Sequence, residues 1–261
     1  MISIIATAYN TSPWIEKCLD SLINQTYKDI EIIVVNDCST DDTRDKILKY
    51  VEKDSRVKLL DNKENVGAGL SRRYGIAASK GEFISLIDTD DWIDVDFLEK
   101  LWKVEQETDA DVIEGGVTIH RGEEATVIPV CAPFIGEGSL IQGRLTFLNN
   151  KIIKRKFYEI VPYSDLRLYE DADTVLRLGY YVHSKANAET DGYHYLMRSS
   201  SLSHEKNPAR SLYYNALVSI RNYLFYENKE HPFYKKECSF KSVLSKIDDL
   251  FFNNIDTRKL W

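Results

Sequence analysis

Continuous apolar runs, separated by helix-like segments, fill the first 110 residues and constrain the fold more than any other feature. The runs are ISIIATA (2–8), IEIIVVN (30–36), VKLL (57–60) and EFISLI (82–87). Runs without polar alternation are typical of strands that are covered on both faces. Because amphipathic segments alternate with them, the pattern predicts an α/β fold with a doubly wound, mostly parallel central sheet and helices on both faces.

Helix signals lie between these runs. Ser12 can cap a helix and Pro13 suits its first position, and glycine at Gly81 suits a helix end. Hydroxyl and acidic side chains, which favour the N-terminus of a helix, likewise stand at the start of the second predicted helix. The predicted helices span 12–25, 39–53, 67–81 and 94–106.

The alternation loosens after residue 110. Strands are predicted within 111–120, 125–131 and 191–200, and helices at 139–148, 171–181, 209–227 and 241–252. The chain has no internal repeat and no low-complexity linker, so it is predicted to form one compact domain with a helical C-terminal extension.

Charge and composition exclude several classes of protein. A net charge of −7 gives no basic face for nucleic acid. The four cysteines form no CxxC pair, which favours reduced thiols over a disulfide or zinc framework. No signal peptide and no run of about twenty apolar residues is present. We therefore expect a cytoplasmic protein.

Polar and acidic groups follow three of the four apolar runs, at 7–10, at 36–37 and at 88–91. Ligands of open parallel sheets bind beyond the carboxyl ends of the strands, so these groups are predicted to share one site. The alternative is that each aspartate simply caps the helix that follows it.

Each aspartate of that edge suits one part of a nucleotide. Asp37 can accept the imide N–H of a uracil or thymine ring, and Asp88 can take ribose hydroxyls. Asp90 would then face the diphosphate, where Mg²⁺ or Mn²⁺ between the anions would relieve their repulsion. Asp91 is expected to cap or hydrogen-bond locally. Arg72 can pair with phosphate or hold one of the carboxylates, or it can be a solvated helix residue.

The glycines of GAG, residues 67–69, do not form a dinucleotide-binding loop. They follow the third apolar run instead of the first, and G-x-G-x-x-G would require glycine where Arg72 stands.

Four segments in this order resemble the inverting family 2 glycosyltransferases of the GT-A fold, of the bacterial cell-surface polysaccharide type. They are SIIATAYN, QTYKDIEIIVVNDCSTDDT, ENVGAGLSRRYGIAASKGEFISLIDTDDW and YEDADTVLRL. The match runs through about the first 105 residues and resumes around 149–204. The resemblance implies a nucleotide-binding half at 1–110 and an acceptor-side half at 111–205, followed by a C-terminal extension at 206–261.

The resemblance also implies residue roles. Asp37 reads the base, Asp88 the ribose and Asp90 the metal, while Asp171, with Glu170 beside it, is the general base. Without the resemblance, the last two are first-turn acids that favour a helix dipole, as Asp173 is expected to be. The other nucleotide-binding candidates are Thr7, Ala8, Tyr9, Asn65, Arg72 and Thr89, and candidates for phosphate or metal contact are Arg198 and His204.

Two positions depart from the family pattern. Cys38 stands where glycine is usual, and Arg73 where asparagine is usual.

The run KIIKRK (151–156) lies where acceptor contacts are expected. Such a run is either a solvated face or a contact for a pyrophosphate-lipid acceptor, which would bring peripheral contact with the inner face of the membrane.

The implied function is transfer of a sugar from a nucleoside-diphosphate-sugar, with UDP favoured, to a hydroxyl of a glycan or lipid-linked acceptor, with inversion and a divalent cation. The alternatives are a nucleotidyltransferase that makes the sugar nucleotide and a non-catalytic binding partner. A nucleotidyltransferase would need a Gly-rich basic loop after the first strand, and the sequence has none. The complete set of aspartates argues against a non-catalytic binding partner.

Overall fold

The computed structural model describes residues 1–128, 134–135, 148–198 and 208–227. The helices in this part of the chain are α1 (Ile15–Ile23), α2 (Thr43–Lys53), α3 (Ala68–Ala78), α4 (Phe97–Thr108), α5 (Lys156–Ile160), α6 (Glu170–Tyr181) and α7 (Pro208–Glu227). The strands are β1 (Ile2–Ala8), β2 (Ile30–Asn36), β3 (Val57–Asp61), β4 (Phe83–Asp88), β5 (Trp92–Ile93), β6 (Val112–Glu114), β7 (Val117–Arg121), β8 (Glu124–Ile128), β9 (Phe134–Ile135), β10 (Lys151–Lys154), β11 (Ser184–Asn187) and β12 (Tyr193–Leu196).

The central sheet has eight strands in the order β3-β2-β1-β4-β10-β6-β11-β9. Strands β1 to β4 are parallel, β6 and β11 are parallel to each other, and β10 and β9 run antiparallel to their neighbours. The predicted mostly parallel, helix-covered sheet is therefore confirmed. A second sheet, β5-β12-β7-β8, takes up strands that the sequence predicted without assigning them to a sheet.

Residues of one strand serve two cores, one on each face of the sheet. In β1, Ile4 joins a cluster formed with α1, α2 and α4, whereas Ile5 joins a cluster formed with α6 and α3. This is why the apolar runs lack polar alternation. Gly75 lets α3 approach closely, since a Cβ there would lie 2.4 Å from Ile5 Cγ2.

Several helices start later than the sequence predicted. Residues 12–14 form a turn and α1 begins at Ile15, with no side chain capping it, so Ser12 and Pro13 do not open the helix. Helix α2 begins at Thr43 instead of residue 39, because Asn10 and Asn36 bind the loop before it. The predicted helices at 139–148 and 241–252 lie almost entirely or entirely outside the described residues.

The first half of the run KIIKRK is buried, which corrects both expectations for these residues, whereas its last residue, Lys156, is exposed. Its first four residues form β10, in the middle of the central sheet, and Lys151 is fully buried. The Lys151 ammonium pairs with Glu114 at 3.2 Å, and Lys185 pairs with the other oxygen of Glu114 at 2.6 Å. Burial of a charge is tolerated only with such partners. These lysines are part of the sheet and do not face solvent.

Helix α7 packs on α6 through a buried charge. Asp173 is fully buried, and its carboxylate pairs with Arg177 of the same helix at 2.7 Å and with Arg221 of α7 at 3.5 Å. Asp173 is thus more than the first-turn acid that the sequence predicted. Within the described part of the chain, α7 included, no helix has the length and apolar character needed to cross a bilayer.

Candidate active site

The carboxyl ends of β2, β1 and β4 lie side by side, as predicted. Thr7 pairs in register with Asp88, and its Oγ1 donates to Asp88 Oδ1 at 3.3 Å. The N–H of Asp37 donates to the carbonyl of Ala8 at 2.8 Å. Three chain segments that are far apart in sequence thereby deliver their polar residues to one edge.

The Asp37 carboxylate organises the loop that leads into α3. Its Oδ1 accepts hydrogen bonds from Asn62 Nδ2 and Val66 N, both at 2.9 Å, and its Oδ2 accepts one from Gly67 N at 2.8 Å. It does not cap α2. A carboxylate has about four acceptor positions, so one remains for a ligand. Gly67 has φ +91°, a conformation that favours glycine, which explains the first glycine of GAG.

Three further nucleotide-binding candidates differ in how accessible they are. Tyr9 is 48% exposed, at the end of β1. Asn65 Nδ2 donates to the Asp37 carbonyl at 3.3 Å, while its Oδ1 accepts from Arg167. Thr89 is buried, and its Oγ1 donates to the Thr7 carbonyl at 2.9 Å. The Thr89 side chain therefore supports the edge from inside the fold.

Arg72 is buried and joins the two halves of the site. Its Nη2 lies 2.7 Å from Asp88 Oδ1, and its Nη1 lies 2.7 Å from Glu170 Oε1 and 3.4 Å from Asp171 Oδ1. Burial alone would lower the pKa of Arg72, but the three carboxylates outweigh it and hold that pKa well above its usual value. The sequence left three roles open for Arg72: a phosphate partner, a partner of the carboxylates or a solvated helix residue. In the structure Arg72 is a partner of the carboxylates.

Two residues that the sequence analysis missed complete this cluster. The Tyr163 hydroxyl accepts from Arg72 Nη1 at 3.1 Å and donates to Asp171 Oδ1. Asn149 Nδ2 donates to Asp88 Oδ2 at 2.9 Å. Neither residue follows a predicted strand. Asn149 is 61 residues from Asp88 and Tyr163 is 91 residues from Arg72, so no local signal could have linked them to the strand ends, although Asp171 is only 8 residues from Tyr163.

The carboxyl groups of the cluster differ in pKa. Burial raises the pKa of Asp171, and burial together with the Asp171 charge raises that of Glu170 to about 7. Burial acts in the same direction on Asp88, but Arg72, Asn149 and Thr7 outweigh it and lower its pKa. Among the described residues, Asp171 Oδ2 has no hydrogen-bond partner, which leaves this oxygen able to accept a proton.

Asp90 and Asp91 point to different partners. Asp90 pairs with the guanidinium of Arg198, and burial and the Asp88 charge raise its pKa. Asp91 is buried and accepts from the Tyr193 hydroxyl at 2.6 Å and from Leu196 N at 2.9 Å. The expectation that Asp91 caps locally is therefore wrong, because it fastens β12 to the strand end from about 100 residues away.

The donor set at this edge fits a divalent cation that is shared with a ligand. The described residues contain no group of three His, Cys, Asp or Glu side chains arranged to hold an ion by themselves. Mg²⁺, however, is usually held by one or two carboxylates together with substrate phosphates and water. Asp90, whose half-buried carboxylate lies in the field of the Asp88 charge, meets that description. His204, the other candidate contact, lies outside the described residues.

A profile of the family described as "Glycosyl transferase family 2" matches residues 3–164, more than half of the chain. The chain belongs to this family. This is the family that the sequence analysis predicted. The predicted class of activity, the transfer of a sugar, is therefore confirmed as well.

Individual relatives agree with this assignment. The chain is 30% identical over 258 residues to the putative glycosyltransferase EpsH of Bacillus subtilis, covering 93% of this chain and 74% of EpsH. The crystal structure of Staphylococcus aureus TarS 1–349 with UDP-GlcNAc superposes with a TM-score of 0.74 at 20% identity, covering 100% of this chain and 76% of that one. The mannosyltransferase PcManGT of Pyrobaculum calidifontis with GDP-Man and Mn²⁺ superposes with a TM-score of 0.60 at 15% identity, covering 95% and 69%. At these identities the two structures support the fold.

Proposed function

We propose that this glycosyltransferase moves a sugar from a UDP-sugar to a hydroxyl of an acceptor glycan, with inversion and with Mg²⁺ or Mn²⁺ bound at Asp90, in the synthesis of a bacterial surface polysaccharide. The arrangement around Arg72 carries the proposal, because one guanidinium contacts the ribose candidate Asp88 and the base candidate Asp171. The UDP-GlcNAc bound to TarS supports UDP as the nucleotide.

The donor would lie along the ends of β2, β1 and β4. The acceptor position that remains on the Asp37 carboxylate would take the imide N–H of uracil, which cytosine lacks. Asp88 would receive the ribose hydroxyls. Its lowered pKa keeps it an acceptor at neutral pH.

The diphosphate would meet Asp90 and Arg198. A divalent cation bound there would neutralise the charge that develops on the leaving group. The Mn²⁺ in the PcManGT structure supports a metal in this fold. Arg198 occupies the Asp90 carboxylate in the described structure and would turn to the phosphate when a cation binds.

Inversion in one displacement needs a base on the face opposite the departing diphosphate. Asp171 suits this role because Tyr163 and Arg72 hold its Oδ1 and leave Oδ2 for the proton of the acceptor hydroxyl. Its raised pKa makes it a better base than an ordinary aspartate. Glu170 keeps Arg72 in place beside it.

Substitution of Asp171 by asparagine tests the proposal. Asp171→Asn keeps the size of the side chain but cannot take a proton, so turnover should fall by roughly two to four orders of magnitude while UDP affinity is unchanged. Glu170→Gln should lower turnover less. The exposed Glu159→Gln on α5 is the control.

The configuration of the product provides a second readout. NMR of the product from an α-linked UDP-sugar should show a β linkage, and excess chelator should abolish transfer until Mg²⁺ or Mn²⁺ is added. A retained configuration, or a near-wild-type rate for Asp171→Asn, would overturn the assignment of the base. Family membership disfavours the nucleotidyltransferase alternative, and slow sugar release from UDP-sugar without acceptor would exclude a purely binding protein.

A further inference from the structure

A cavity of about 360 Å³ is lined on one side by Asp90 and Asp91 and on the others by residues to which the proposed mechanism gives no role. Its size falls within the ~300–1,000 Å³ typical of small-molecule sites. Trp14 and Lys17 enter it from the start of α1, Trp92 from β5 and His120 from β7. The α1 and β5 walls belong to the core cluster on the sheet face opposite to α6.

Lys17 is an exposed cation at the wall of this cavity. Its Nζ lies 2.9 Å from the centroid of the Trp92 ring. None of the carboxylates in the described residues forms an ion pair with it, in contrast to Arg198, which pairs with Asp90 and lies 4.3 Å from the Trp14 ring centroid. An ammonium held on an aromatic ring without an anionic partner is suited to binding an anion from solution.

Behind Lys17, a hydrogen-bond chain through two histidines determines which ring nitrogen of His120 can accept a hydrogen bond. His194 Nε2 lies 2.9 Å from Asp94 Oδ1, and His194 Nδ1 lies 3.0 Å from His120 Nε2. Because a carboxylate only accepts, neutral His194 carries its proton on Nε2 and its Nδ1 accepts from His120. Neutral His120 therefore has its proton on Nε2, and its Nδ1 is left as an acceptor that suits a hydroxyl.

Beside the carboxylates of Asp90 and Asp91, the cavity thus combines a cation without an anionic partner, a hydroxyl acceptor and two indole rings. Phosphate oxygens match the Lys17 ammonium, sugar hydroxyls match His120 Nδ1, and the apolar faces of a sugar ring pack on aromatic side chains. The donor diphosphate has Asp90, its cation and Arg198 as partners in the proposed mechanism. Lys17 is left for a second anion.

We propose that this cavity binds a phosphorylated sugar of the acceptor, with its phosphate on Lys17 and a hydroxyl on His120. The inference rests on the proposed function and gives the acceptor a chemical class. The sugar phosphate can come from a glycan that carries phosphate or from a sugar linked to a lipid diphosphate, and both present the same groups to the cavity.

Isothermal titration calorimetry with the whole chain tests the proposal. UDP with Mg²⁺ is titrated first, and then α-D-glucose 1-phosphate or farnesyl-diphosphate-linked glucose is titrated into the UDP-saturated protein. We expect at least one of the two probes to bind and unphosphorylated glucose not to bind. Binding of the first indicates a phosphate-bearing glycan, and binding of the second alone indicates a lipid-linked acceptor.

Lys17→Gln should weaken binding of the probe by about tenfold or more, the usual effect of losing a hydrogen bond to a charged group, and should leave UDP affinity within about twofold. The control is Lys53→Gln on α2, whose ammonium lies 5.1 Å from the Tyr50 ring and pairs with Asp20 at 3.4 Å, and which does not line the cavity. It should change neither affinity.

Two results would overturn the proposal: neither probe binds the wild-type protein at millimolar concentration, or Lys17→Gln weakens UDP as much as it weakens the probe, which would place Lys17 in the donor site. If UDP itself does not bind, the proposed function fails. The same probes, titrated without UDP, then still decide whether the cavity takes a phosphorylated sugar.

Discussion

The Asp37 side of the candidate site and the Asp171 side hold their carboxylates in opposite ways. Asp37 is satisfied by uncharged N–H donors from residues 62–67, and no cation contacts it among the described residues. Asp171, Glu170 and Asp88 are instead held by one guanidinium, that of Arg72. The first arrangement fixes a loop, whereas the second couples three charges, so removing one group should have different consequences on the two sides.

The largest expected effect is the loss of Arg72. In Arg72→Met the three carboxylates lose their common cation inside the protein, so we expect the free energy of unfolding to fall by about 3–5 kcal/mol. Urea denaturation measures it. The control is Arg44→Met, which breaks the exposed pair with Asp61 and should cost about 0–1 kcal/mol. Equal small losses for the two variants would mean that the Asp171 side does not depend on its cation.

The sequence predicted the Asp37 side better, for a physical reason. Apolar runs and the polar residues directly after them are local signals of strand ends. The Asp171 side depends on contacts between distant residues, Arg72 with Glu170 and Arg72 with Tyr163. Spacing alone cannot distinguish such a buried arginine from a solvated one.

The same limit applies to the centre of the sheet. The lysines of KIIKRK look like a surface in the sequence, and only the pairing of β10 between β4 and β6 places Lys151 next to Glu114. The family resemblance identified Asp171 and Glu170, whereas composition and periodicity gave them only as first-turn acids. Residue roles on this side therefore came from the resemblance, and their contacts came from the structure.

The second expected effect is a pH dependence confined to the Asp171 side. The pKa of Glu170 is raised from 4.5 to about 7, so between these values the folded protein keeps a proton that the unfolded chain has released. The free energy of unfolding should then fall as pH rises through this window, by about 1.4 kcal/mol per unit from this group.

Glu170→Gln isolates this contribution, because glutamine does not titrate. The variant should show a flatter profile than wild type between about pH 4.5 and 7, and the difference between the two profiles should grow by about 2–3 kcal/mol across it. Denaturant midpoints at several pH values measure this. The exposed Glu159→Gln should follow the wild-type profile, and a parallel Glu170→Gln profile would show that Glu170 titrates normally.

A smaller effect is expected on the Asp37 side. Asp37→Ala removes the acceptor proposed for the base and should weaken UDP binding by roughly 1.5–3 kcal/mol, the value of a hydrogen bond to a charged group. Since three loop donors also lose their acceptor, the free energy of unfolding should fall by about 1–3 kcal/mol. Calorimetry and urea denaturation separate the two.

Asp61→Ala is the matched control for Asp37→Ala. Asp61 also ends a strand, β3, and accepts from Asn36 Nδ2 at 2.8 Å, but it lies outside the proposed base contact. It should leave UDP affinity unchanged. If Asp37→Ala binds UDP as tightly as wild type, this aspartate only holds the loop.

The smallest expected effect concerns Cys38, directly after Asp37. Its φ is +60°, in the left-handed region, which suits the glycine that the family pattern implies at this position. A side chain in this conformation costs roughly 1 kcal/mol, so Cys38→Gly should raise the free energy of unfolding by up to about that amount. Cys38→Ala, which keeps a Cβ, should give no such gain. Cys38 borders the Asp37 side of the site, where the carboxylate is held by uncharged donors. Neither variant should therefore change the pH profile that Glu170 imposes. An equal gain for alanine and glycine would assign the effect to loss of the thiol and its contact with the Lys63 carbonyl, and would leave the backbone without strain.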